Sequence, residues 1–118
     1  MSSHPLITKG THLILDIYDI NDNEILKYEN SIITILDDIV NKFNLNVVGK
    51  ILHQFNPYGV TGVYVLSESH LAIHTFVDEK KISMDLYTCN IFNRKKEFVE
   101  YITNIFNTNK YNYNCIDR

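Results

Sequence analysis

Cysteine is scarce in this chain of 118 residues. Its two copies, Cys89 and Cys115, form no C-x-x-C pair, so a disulfide scaffold, a zinc ribbon and a thioredoxin-type redox centre all lack their residues. A reduced, cytoplasmic protein is the expectation. Two prolines and four glycines leave no Pro/Gly/Ser-rich linker to divide the chain. One domain over residues 1–118 is therefore expected, long enough for one core and no more. No apolar run approaches the ~20 residues of a membrane span, and the opening MSSHPLITKGTHL lacks a basic flank before an apolar stretch. Neither secretion nor membrane insertion is expected. The formal charge is only -3, and the basic residues are dispersed apart from Arg94-Lys95-Lys96, so no footprint for nucleic acid stands out.

What is present is patterned. THLILDIYDI (11–20) is rich in β-branched and aromatic residues and predicts a strand. NDNE follows with side chains suited to an N-cap. From Glu24 to Phe43, Ile25, Ile32, Leu36, Ile39, Val40 and Phe43 recur at helical spacing between polar residues. Residues 45–55 predict a second strand, Asn56-Pro57-Tyr58-Gly59 a turn, and 62–66 a third strand. Segments 70–77 and 82–89 predict a hairpin with Asp78-Glu79-Lys80-Lys81 at its tip. Phe98, Ile102, Ile105 and Phe106 mark a second helix over 93–107, and the tail from Tyr111 to Ile116 suits a short edge strand.

The order β-α-β-β-β-β-α, with hairpin-length connections, implies an α+β fold: a mainly antiparallel sheet with both helices on one face. Strand alternation assigns the faces. Leu71, Ile73 and Val77, with Ile82, Met84 and Leu86, suit a core under the helices, whereas His70, His74, Tyr87 and Cys89 collect on the other face. A half-aromatic, half-polar face is commonly covered by a partner, which predicts a dimer of two sheets packed face to face, αββα.

Ser67-Glu68-Ser69-His70, followed by His74, interrupts two apolar runs, and several chemistries compete for it. His70, His74 and Cys89 could converge on a metal, but His-x3-His brings zinc ligands together on a helix, and this segment reads as strand. Ser69 with His74 lacks the G-x-S-x-G elbow and an orienting acid expected of a hydrolase. A tight turn followed by hydrogen-bonded sheet histidines would be purely structural.

NPYGVTGVYVLSESHLAIHTF, followed by MDLYTCN and preceded by GTHLILDIYD, resembles the prokaryotic-type S-adenosylmethionine decarboxylases, small pyruvoyl enzymes with P-x-G-V-S-G, S-E-S-H-L-T-I-H and T-C-G segments. The resemblance spans about Gly10 to Cys89. It implies that the Ser69 hydroxyl attacks the carbonyl of Glu68, turning the peptide bond into an ester, a step that a strained turn favours. His74 then removes the Cα proton of residue 69, with Thr61, in place of the family's serine, assisting. Elimination frees the Glu68 carboxylate, and hydrolysis with loss of ammonia leaves a pyruvoyl group on a chain of residues 69–118 (α), beside a chain of residues 1–68 (β). That self-made cofactor forms a Schiff base with the substrate amine and serves as an electron sink when carbon dioxide leaves. Cys89 matches the family's proton donor, and thiols of ordinary acidity carry a proton at neutral pH.

Phe55 matches the aromatic that stacks on adenine. Asp78 stands where the family's glutamate holds the ribose hydroxyls, within HTFVDEKK in place of H-T-W-P-E. The implied activity is decarboxylation of S-adenosylmethionine for spermidine synthesis by a homodimer of cleaved protomers, with no metal. A pyruvoyl-dependent decarboxylase of ornithine or arginine is the alternative, and a non-catalytic regulatory homologue a third.

Overall fold

The computed structural model describes residues 10–89 and 92–118. Six strands form one antiparallel sheet: β1 (Thr11–Ile17), β2 (Val47–Gln54), β3 (Val60–Leu66), β4 (Ser69–Phe76), β5 (Lys81–Thr88) and β6 (Tyr111–Asp117), in the order β2-β3-β4-β5-β1-β6. Among the same residues two α-helices, α1 (Glu29–Lys42) and α2 (Lys95–Ile105), pack against this sheet. The expected α+β architecture is thus present, with the tail as an edge strand.

The core lies between the helices and one face of the sheet. Leu13, Leu15 and Ile17 of β1, Ile82, Met84 and Leu86 of β5, and Leu71 and Ile73 of β4 are buried there against Ile32, Leu36 and Ile39 of α1 and Phe98 and Ile102 of α2. Gly62 of β3 faces α1: a Cβ there would lie 3.4 Å from both Leu36 and Leu52.

The expected helix from Glu24 is interrupted. Asn23–Leu26 is a short 3-10 turn, and α1 begins only at Glu29 after an extended Tyr28. No side chain of the NDNE stretch caps either element. The cap comes from β2: the Gln54 Oε1 accepts from the Glu29 N–H at 2.7 Å, and its amide nitrogen donates to the Lys27 carbonyl at 2.9 Å. An unpaired helix N-terminus is costly, so one amide from a distant strand fixes where α1 starts. β1 also ends sooner than its composition suggests, because Asp19 takes a left-handed φ of 56°.

Candidate active site

The β3-β4 hairpin turn holds Ser67, Glu68 and Ser69. Leu66 pairs with Ser69, leaving Ser67 and Glu68 as the turn. Glu68 has φ +65°, a conformation that glycine adopts easily and a side chain with a Cβ does not. The turn is pinned from both sides. The Ser67 N–H donates to the Asn46 carbonyl at 3.0 Å, and its hydroxyl accepts from the Asn46 amide at 2.5 Å. On the other side the Cys89 N–H donates to Ser69 Oγ at 3.3 Å, and the Cys89 thiol donates to the Glu68 carbonyl oxygen. Surroundings that over-determine a strained residue are what allow it to persist. Ser69, Glu68 and Cys89 thus stand together, with the thiol on the carbonyl that Ser69 would attack.

Ser69 opens β4 between two spaces. On the helix side a cavity of about 530 Å³ is lined by Phe43, Leu66, Ser69, Thr88, Phe92 and Arg94 among others, within the usual size of a small-molecule site. On the other side is the open face of the sheet, where His70, His74, Asp85 and Tyr87 lie together with the exposed Ile51, Val65 and Phe76.

Thr61 and His74 are cross-strand partners on that open face, Oγ1 to Nδ1 3.2 Å. They stand together but apart from Ser69 of their own chain: five residues along β4, at ~3.3 Å per residue, is about 16 Å. Phe55 and Asp78 lie farther still, beyond the other end of β4. Phe55 is no core residue: it is 47% exposed and meets His53 edge-on at 4.6 Å. Asp78 is exposed and accepts the Tyr58 hydroxyl at 2.8 Å, a bond that raises the Tyr58 pKa. The expected site residues therefore fall in three places along β4: at its start, towards its far end, and beyond that end.

One cluster escaped the sequence reading. Asp85 Oδ2 accepts from His12 Nε2 and from His70 Nε2, each at 2.8 Å, and Arg118 Nη1 donates to His12 Nδ1 at 3.3 Å. His70 stacks on Tyr87 at 5.9 Å, and the Arg118 guanidinium lies over the same ring. The ligand atoms of His12, His70 and Asp85 lie within 4.8 Å of one another, a spacing that a metal could use. Arg118 only donates, however, so the His12 ring proton sits on Nε2 facing Asp85, where a metal would need a lone pair. The signal available in the sequence was a lone carboxylate, Asp85, between Met84 and Leu86 on a strand face shared with two histidines. Among the described residues, no helix is long and apolar enough to cross a membrane.

Comparison with known proteins fits this arrangement. The model of the S-adenosylmethionine decarboxylase family matches residues 11–118. The chain is 30% identical over 109 residues to the S-adenosylmethionine decarboxylase proenzyme of Archaeoglobus fulgidus, covering 92% of this chain and 96% of that one. It is 37% identical over 97 residues to the proenzyme of Thermodesulfovibrio yellowstonii, covering 82% and 71%. The crystal structure of the adenosylmethionine decarboxylase of Aquifex aeolicus superposes with a TM-score of 0.85 at 28% identity, over 94% of this chain and 91% of that one. On the family match and the shared fold together, this chain belongs to the S-adenosylmethionine decarboxylase family.

Proposed function

We propose that this protein decarboxylates S-adenosylmethionine, using a pyruvoyl group that it makes from Ser69 by cleaving its own Glu68–Ser69 bond. The observation that carries the reading is the strained Glu68 turn, with Ser69 Oγ on one side of the scissile peptide and the Cys89 thiol on its carbonyl oxygen.

The cleavage chemistry follows from these groups. A donor on the Glu68 carbonyl oxygen polarises it and stabilises the negative charge that develops on that oxygen as Ser69 Oγ, losing its proton to the departing amine, adds to the carbonyl carbon. The C–N bond then breaks, leaving an ester and a free amine on residue 69, and the left-handed strain at Glu68 is relieved as the turn opens. A base next removes the Cα proton of residue 69. The Cβ–Oγ bond breaks, Glu68 departs as a carboxylate, and water replaces the resulting imine nitrogen, releasing ammonia. A ketone beside an amide then supplies what the decarboxylation needs: an electrophile for the substrate amine and a sink for the electron pair left by carbon dioxide. Cys89, already against this centre, is the acid that returns a proton to the substrate carbon.

His74 is the base, but about 16 Å of strand separates it from Ser69 of its own chain, so the partner of a homodimer must supply it. Two open faces packed together with antiparallel β4 strands bring the second half of one β4 over the first half of the other. The Thr61–His74 pair of one protomer then serves Ser69 of its partner, and Phe55 and Asp78 come to the nucleoside end of that same site. The exposed apolar side chains Ile51, Val65 and Phe76 supply the surface that such a pairing would bury. Each site draws on both chains, and S-adenosylmethionine is favoured over ornithine or arginine because an exposed aromatic and a carboxylate stand ready for a nucleoside.

Intact-mass analysis of purified protein tests the reading. Two fragments, residues 1–68 and a blocked 69–118, are expected in the native protein, and a single chain in Ser69→Ala. A wild type that stays whole after long incubation, or one that is cleaved but prefers a basic amino acid to S-adenosylmethionine, overturns it.

A further inference from the structure

Cleavage at Glu68–Ser69 turns the first residue of β4 into a chain terminus, and it does so at the residue that carries the reactive group. Strand ends fray with almost no free-energy cost, yet catalysis tolerates little displacement of a reacting atom. The chain therefore needs a device that holds residue 69 once its covalent tether to β3 is gone.

We propose that His70, Asp85 and His12 form a clamp that keeps the new chain end in register after cleavage, acting as positioning residues for the chemistry at Ser69. The inference rests on the pyruvoyl reading above. His70 is the residue whose backbone nitrogen carries residue 69. Its side chain reaches over the open face to Asp85 on β5, with Nε2 to Oδ2 at 2.8 Å, so the bond ties β4 sideways to a strand that the cleavage does not touch. Its ring lies against Tyr87, also of β5, in the same cross-strand row.

Asp85 is itself held. The same Oδ2 accepts from His12 of β1 at 2.8 Å, and Arg118 fixes the His12 ring from behind. Arg118 is placed in turn by reciprocal backbone bonds with Gly10, N to O at 2.9 Å and 2.7 Å. Gly10 packs so closely that a Cβ would fall 2.7 Å from the Tyr87 hydroxyl. The chain Arg118, His12, Asp85, His70 therefore runs from just past the end of β6 through β1 and β5 to β4, and ends one residue from the reacting position. None of these bonds crosses the scissile peptide, so all of them survive its cleavage.

The prediction distinguishes a clamp from ordinary sheet stabilisation, because a clamp matters more after the tether is cut than before. Hydrogen exchange over residues 70–76 is measured in the cleaved protein and in uncleaved Ser69→Ala, each with and without Asp85→Asn. Asp85→Asn is expected to cost about 10- to 100-fold in protection in the cleaved form, as for loss of a charge-assisted hydrogen bond, and much less in the uncleaved one. In decarboxylation kcat should fall with that protection while KM changes little, and His70→Gln, which keeps an N–H for Asp85, should retain more kcat than His70→Ala. Should Asp85→Asn fail to fold, His12→Phe, which keeps a ring beside Tyr87 and removes one donor from Asp85, reads the same difference. Equal loss in both forms, or none in either, overturns the clamp and leaves the pyruvoyl reading standing. A wild type that is never cleaved overturns both, and mass analysis alone reveals it.

Discussion

On the proposed mechanism the Cys89 side chain stands at the meeting point of two reactions, and they make different demands on it. In cleavage it is one of several groups around the Glu68 carbonyl, since Ser69 supplies the nucleophile and the strained φ of Glu68 supplies part of the drive. In the decarboxylation proposed above it is the proton source. Cys89→Ala should therefore still be cut, visible as two fragments by mass, while kcat falls by about 100-fold or more, the usual worth of a general acid. A variant that stays whole would move Cys89 from turnover to processing.

Phe55 poses a separate question, because a cavity on the helix side also borders Ser69. If the nucleoside lies between the sheets, Phe55→Ala should lose roughly 1–3 kcal/mol in kcat/KM for S-adenosylmethionine, the worth of base stacking on an aromatic. If Phe55→Ala is silent and Phe92→Ala is not, the substrate enters from the helix side.

At the level of elements, one amide decides a boundary. Gln54 on β2 caps α1, so Gln54→Ala should lower stability by about 0.5–2 kcal/mol, as for a lost N-cap. Thermal unfolding of the uncleaved Ser69→Ala protein, with and without this change, measures it. That cap also marks where the sequence stopped being readable. Apolar periodicity gave both helices and all six strands, because those patterns are local. The start of α1 at Glu29 depends on a residue 25 positions away, and no window over α1 contains it. The site divides in the same manner. Ser69 and Glu68 were visible as neighbours in an unusual turn, and Cys89 through its place in the T-C segment. The separation of His74 from Ser69 was implicit in five residues of strand, whereas the His12–Asp85–His70 cluster needs β1 to lie beside β5, which is a matter of strand order.

At the scale of the whole molecule, sharing of sites between protomers has a decisive test. Ser69→Ala chains keep His74, and His74→Ala chains keep Ser69. Alone, neither should be cleaved to the finished pyruvoyl chain. Co-expressed, they should form mixed dimers in which one site has both groups, giving roughly a quarter of wild-type sites under random pairing. Activity that stays at background in the mixture would return His74 to the Ser69 of its own chain.

Strand order carries one further consequence. The proposed cleavage would leave β1, β2 and β3 on one polypeptide and β4, β5 and β6 on the other, yet β1 lies between β5 and β6. The fragments are interleaved, and neither can leave without opening three ladders, β3 with β4, β1 with β5 and β1 with β6, so dilution should not part them. Once fully unfolded, however, they are two separate molecules, and rebuilding the sheet becomes a second-order search in place of a first-order collapse. Recovery of far-ultraviolet circular dichroism after denaturation should therefore slow in proportion to dilution for the cleaved protein. The uncleaved Ser69→Ala chain should regain its sheet at a rate that ignores concentration. The mature protein is then guarded by the height of its unfolding barrier more than by any capacity to reassemble.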